Sequence, residues 1–279
     1  MLYDRLVSPA ILDLVHRDAK MLYVGKQAGF HTRTQDEIEA MLLGLAGNGA
    51  TVVRLKGGDP LVFGRGGEEM EVLMSRGHEV HIVPGITAAA GVGSELGIPL
   101  THRGTATSVR LLTGHLREGA ARDAADGAGN AVVDPVDFAV TAADLDTTLV
   151  VYMGLGTLPS LASKLIASGF PRDMPAVAVE RGTTPRERRV FSTIGNLPAA
   201  VVAEKLRSPT LIIVGNTVAL SPWWPWHALS GESMEEGGGN AATPSRTRPG
   251  AGVTYVAQRG LPSEDTSSWF RYGTLDPKP

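Results

Sequence analysis

Short apolar runs alternate with longer segments of helical period along most of this chain. Strand-length runs occur at Met1–Tyr3, Met21–Val24, Thr51–Leu55 and Glu79–Val83. Helix start signals lie between them. Ser8-Pro9 offers an N-cap with proline in the first turn. Thr34-Gln35-Asp36-Glu37 reads as a capping box. Ile38, Met41, Leu42 and Leu45 then recur at helical spacing as far as about Gly47. Gly67–Ser75 and Thr87–Leu96 read as two further helices. A second series opens near Ser108, with strands at Val109–Leu112, Thr148–Met153, Ala176–Val179, Arg189–Ser192 and Thr210–Val214. Its helices are Leu158–Ala167 and Leu197–Leu206. In the first series, repeated βα units with short apolar strands predict a parallel sheet covered on both faces.

The pattern lapses twice. Gly119–Asp146 is rich in Ala, Asp and Gly and reads as a surface insertion. From about Ser221 the chain turns to Gly, Ser, Pro and Thr, which predicts a disordered tail beyond a packed Trp223–Trp226 strap. The expected organisation is therefore an α/β protein with one domain over 1–101, a second over 102–220 and a tail over 221–279.

Composition narrows the chemistry. The 279 residues are enough for two domains with cores of their own. A net charge of -3 gives no reason to propose nucleic acid as a partner. The absence of cysteine excludes disulfides, thiolate metal sites and cysteine nucleophiles. The histidines show no metal-ligand spacing, so no metal is expected. No apolar run reaches the ~18 residues of a membrane span, and no signal or transit segment is recognised. Within this mildly acidic chain, Thr101–Arg117 carries His102, Arg103, Arg110, His115 and Arg117 and no acid. That excess suits an acidic ligand, with Arg103 and Arg110 favoured; the competing reading is a solvated strand face.

The densest motif is Arg54-Leu55-Lys56-Gly57-Gly58-Asp59-Pro60, running into Phe63-Gly64-Arg65-Gly66-Gly67-Glu68-Glu69. A strand ends there in Gly57, Gly58 and Asp59, a place where backbone commonly meets a ligand. A tight βα turn with no ligand is the plainer reading. Thr87 and Ala88 open a helix after Val83-Pro84-Gly85-Ile86, where free backbone donors gather; simple capping by Thr87 also fits. Asp4 and Lys26 each end a strand. On the residues alone they are a helix-entry anion and a solvated lysine, although an acid and a cation at neighbouring strand ends is a workable acid–base layout. Met153, ending an apolar strand, reads alone as core.

Together with Pro99-Leu100-Thr101-His102-Arg103, these motifs resemble the tetrapyrrole methyltransferases, in the family's order and over about Leu2–Leu220. The resemblance implies two α/β domains with the active site in the cleft between them, a homodimer, and S-adenosyl-L-methionine as co-substrate. Leu2-Tyr3-Asp4-Arg5-Leu6-Val7-Ser8 is similar to the branch that methylates uroporphyrinogen III at C2 and C7, giving precorrin-2 for siroheme or corrinoid synthesis. By resemblance, Asp4 is proton acceptor and Lys26 proton donor. Gly57, Gly58, Asp59, Thr87, Ala88, Met153, Gly182 and Thr210 contact the adenosylmethionine, while Arg103 and Arg110 pair the substrate's carboxylates. Enzymes acting on a later precorrin, and a non-catalytic relative, are the alternatives.

Thr147–Pro159 looks closer to plant and algal members, which implies a plastid address; without that implication the expectation is cytoplasmic. Family members carry a strand and a Gly-Pro-rich loop roughly twenty residues before the aspartate matched by Asp4. The expectation is that this sequence belongs to a longer protein.

Overall fold

The computed structural model describes residues 1–25, 33–114, 145–225 and 255–258. The chain folds into two compact units, a first over Met1–Ala88 and a second over Ala89–Pro279.

The first unit holds a three-stranded parallel sheet in the order β2-β1-β3, with β1 Leu2–Tyr3, β2 Leu22–Tyr23 and β3 Arg54–Leu55. Helix α1 spans Pro9–Leu12, α2 Gln35–Ala46 and α3 Gly66–Ser75. The capping box at α2 is present in full: Glu37 N donates to Thr34 Oγ1 at 3.2 Å and Thr34 N to Glu37 Oε2 at 2.7 Å. Such a box satisfies two orphan donors at once, which is why this helix starts where the sequence says. Leu2, Val24, Ile38 and Leu42 form the buried core of the unit. Each such side chain contributes roughly 1.5–3 kcal/mol by leaving water.

The strand expected at Glu79–Val83 does not form; the segment belongs to no helix or strand. Its alternation of exposed and half-buried residues is that of a strand. Alternation selects a face but supplies no hydrogen-bonded neighbour, and none of the described strands pairs with it.

The second unit is built on a sheet in the order β4-β5-β8-β6-β7-β9. Its strands are β4 Ser108–Thr113, β5 Thr147–Tyr152, β6 Pro175–Glu180, β7 Arg188–Thr193, β8 Thr210–Val214 and β9 Tyr255–Gln258. Only β4 and β5 are parallel; the other pairings are antiparallel. Seven residues, 181–187, join β6 to β7, too few for the crossover that parallel strands require.

Alternate residues of this sheet serve two cores. Leu149, Val151, Ala176, Ala178, Ile212 and Val214 pack under α5, Leu158–Ala167, and α6, Leu197–Ala203. Val150, Val177, Val179, Leu211 and Ile213 face Ala89, Val92 and Leu96 of α4, Ala88–Glu95, with Val218 of a 3-10 turn and Trp224. Because α4 buries its apolar face in this second core, the division falls after Ala88, ahead of the boundary expected at 101/102.

The tail also departs from expectation. Trp224 is buried edge-to-face on Phe191, as a packed strap requires, but Trp223 is 44% exposed. Farther on, β9 adds to the edge of β7 from Arg188↔Gln258 to Phe191↔Tyr255, so part of the segment read as disordered is strand. A short run of β-formers, Tyr255-Val256, was hidden in Gly- and Pro-rich surroundings. The insertion at 119–146 lies almost wholly outside the described residues, which resume at Leu145.

Candidate active site

The glycine motif after β3 lies against backbone. Gly58 has φ +87, and a Cβ there would lie 3.4 Å from Ile86 O, 3.9 Å from Thr87 Cα and 4.0 Å from Ala88 N. On the facing loop a Cβ at Gly85 would come within 2.4 Å of Gly58 O. At Gly85 the close approach leaves no room for a side chain, while at Gly58 the positive φ favours glycine. Asp59 fastens the seam, its Oδ1 accepting from Leu61 N at 2.9 Å and its Oδ2 from Gly85 N at 3.1 Å. The Gly85 and Leu61 amides hold this carboxyl below the usual carboxylate range. Gly58, Asp59, Thr87 and Ala88, far apart in sequence, thus form one cluster at the start of α4.

Asp4 follows β1. Its Oδ1 accepts from Leu6 N at 2.9 Å and its Oδ2 from Arg54 Nη2 at 3.2 Å. The side chain is 25% exposed, open enough to meet a ligand. Behind it runs an ion network through Arg54 to Glu69 and Lys56. Lys56 Nζ also donates to Gly64 O at 2.6 Å, which ties the second glycine turn to β3. Burial pushes the Lys56 ammonium below the ordinary lysine range, with its bond to Glu69 opposing. Lys26 lies outside the described residues.

In the second unit, topology gathers three more of the expected residues at one end of the sheet. Thr210 begins β8 and pairs with Glu180 at the end of β6. On its other side β8 runs antiparallel to β5, whose last residue, Tyr152, precedes Met153. Met153 is not core: it is 50% exposed with a left-handed backbone, φ 53. Gly182 sits between two more left-handed residues, Arg181 at φ 49 and Thr183 at φ 62. Non-glycine residues hold such conformations at a cost of order 1–3 kcal/mol, and they concentrate at ligand sites. A Cβ at Gly182 would meet Val92 Cγ2 of α4 at 2.4 Å. Thr210 is buried and its Oγ1 donates to Arg207 O at 2.7 Å.

Arg103 lies exposed in the turn closed by the His102↔Ala106 bridge, and Arg110 is half-buried on β4 opposite Leu149. His115 and Arg117 are outside the described residues.

Four contributors escaped the sequence reading. Arg54, Lys56 and Glu69 were in view as parts of the glycine motif, yet only contacts show that they form a network. Tyr152 is the fourth: its phenol accepts Ala89 N at 2.9 Å and so caps the start of α4. The Gly182 turn has a support of its own, where buried Glu187 accepts Thr183 N at 2.8 Å through Oε2. The spacing Thr183 to Glu187 carries no signal that could have announced it.

The sequence profile of the Tetrapyrrole (Corrin/Porphyrin) Methylases matches residues 1–198. The chain is 61% identical over 225 residues to the chloroplastic S-adenosyl-L-methionine-dependent uroporphyrinogen III methyltransferase of Arabidopsis thaliana, covering 81% of this chain and 58% of that protein. It is 46% identical over 229 residues to the siroheme synthase of Azotobacter vinelandii, covering 81% of this chain and 46% of that protein. The chain therefore spans about half the length of these relatives. Among solved structures, the uroporphyrin-III C-methyltransferase of Thermus thermophilus complexed with S-adenosyl homocysteine matches with a TM-score of 0.59 and 37% identity, over 78% of this chain and 86% of that one. With the family profile matching well over half of the chain, the chain belongs to the tetrapyrrole (corrin/porphyrin) methylases.

Proposed function

We propose that the chain methylates uroporphyrinogen III at C2 and C7 with S-adenosyl-L-methionine, giving precorrin-2. The observation that carries this is the 61% identity, over 225 residues, to a relative named for that substrate and that methyl donor. Adenosylmethionine supplies an electrophilic methyl group on a sulfonium, which a pyrrole-ring carbon attacks.

The chain's own residues then have defined tasks. Gly57, Gly58, Thr87, Ala88, Gly182 and Thr210 offer main chain to the donor, and Met153 adds apolar surface. Support comes from the side-chain-free seam at Gly58 and from the strained turns around Met153 and Gly182. Asp59 serves by holding the seam closed. Fixing donor and acceptor in register supplies much of the rate in such a transfer. Once the ring carbon is methylated, a ring proton must leave, and Asp4 accepts it. Its carboxylate is oriented by two donors and partly open. Lys26 is the proposed proton donor, an assignment that rests on the family resemblance. Arg103 and Arg110 pair carboxylates of the substrate.

Two copies are proposed to associate. The exposed Val109 and Leu111 on edge strand β4 are apolar surface that an assembly would cover. A plastid address is proposed from the chloroplastic relative. None of the described helices is long and apolar enough to cross a membrane.

The test is the mass of the product formed from uroporphyrinogen III and adenosylmethionine. The reading requires a gain of two methyl groups. Turnover on precorrin-2 with none on uroporphyrinogen III would replace it with a later step of the same chemistry.

A further inference from the structure

The carboxylate of Glu69 is buried in the first unit. Three donors from two segments reach it: Gln35 Nε2 at 3.2 Å from α2, and Arg54 Nε at 3.4 Å and Lys56 Nζ at 2.9 Å from β3 and its end. Arg54 in turn uses every nitrogen of its guanidinium. Nε meets Glu69, Nη1 donates to Leu55 O at 2.7 Å, and Nη2 donates to Asp4 Oδ2 at 3.2 Å. The network holds two acids and two bases, so it is neutral as a whole. Buried ion pairs of this kind add little net stability over apolar packing, because desolvation offsets the attraction. What they provide is direction. The planar fork of Arg54 spans from a buried anchor to the one carboxylate oxygen of Asp4 that the Leu6 amide does not hold.

We infer that Arg54 is a positioning residue for the Asp4 carboxylate, locked in place by Glu69. The inference rests on the reading of Asp4 as proton acceptor. With one donor on each oxygen, the plane of the carboxylate is fixed. A lysine at 54 would keep the charge but lose the fork, since an ammonium presents its donors from a single point.

Arg54→Lys tests this in the full chain. It should lower kcat for methyl transfer by roughly 100-fold, the scale expected for a small misplacement of a reacting group, with the KM for adenosylmethionine unchanged. In an Asp4→Asn background the same substitution should cost nothing more, because the group it positions is already gone. Independent, additive losses would mark Arg54 as merely structural and overturn the inference. Amide exchange reads the positioning without turnover: Leu6 should exchange faster in Arg54→Lys, while Leu2, which donates to Val53 O at 2.8 Å, stays protected. An unchanged Leu6 amide would also overturn it. Wild-type chain that shows no methyl transfer would count against the proposed function, and the Leu6 amide would still decide the role of Arg54.

Discussion

At the scale of single residues, Asp59 shows how a ligand-loop motif can be held together by its own chain. Its two oxygens bind the amides of Leu61 and Gly85, and those bonds favour the charged form. The folded carboxyl therefore titrates below its unfolded value of about 3.9. A depressed acid contributes its stabilisation fully above the unfolded value and loses it as pH falls through the folded one. The seam between the Gly58 and Gly85 loops should thus stay closed at neutral pH and loosen only in acid. Following the Gly85 and Leu61 amide resonances by NMR should give a common midpoint below about 3.9. A midpoint at or above that value would mean the bonds do not hold in solution. Much of this was legible in Gly57-Gly58-Asp59, which announces a turn. What no local pattern announces is the partner, because Gly85 is brought there by the fold.

At the scale of elements, the helices with start signals were legible and the pairing of strands was not. α2 begins at its capping box, and α5 spans the segment expected of it, Leu158–Ala167. These signals are local, encoded within a turn or two of the helix they start. Pairing is not local: Glu79–Val83 alternates like a strand and finds no partner, whereas Tyr255–Gln258 finds one in unpromising surroundings. Helix α4 shows the same dependence on distant residues. Its early amide at Ala89 is satisfied by the Tyr152 phenol from β5. Tyr152→Phe leaves that half-buried donor without its partner, and should lower stability to urea by about 1–2 kcal/mol. It should also raise exchange at Ala89. Wild-type stability with unaltered exchange would show that water replaces the phenol at no cost.

At the scale of the whole molecule, the expected residues fall into clusters in both units, and that grouping follows from topology. Asp4, Gly57 and Asp59 lie in the connections that leave β1 and β3 of a parallel sheet, where ligand sites form. Met153 and Gly182 follow β5 and β6, and antiparallel β8 places Thr210 beside them. The family's motifs were readable in order along the sequence, since each is a compact run at a strand end. The ion network behind Asp4 was not, because it joins β1, β3 and α3 through side chains with no common motif. On the proposed function, these strand ends bind adenosylmethionine. A calorimetric titration of the purified full chain with S-adenosylhomocysteine tests it most directly. Saturable binding of one molecule per chain is expected. A folded chain that takes up none would contradict it.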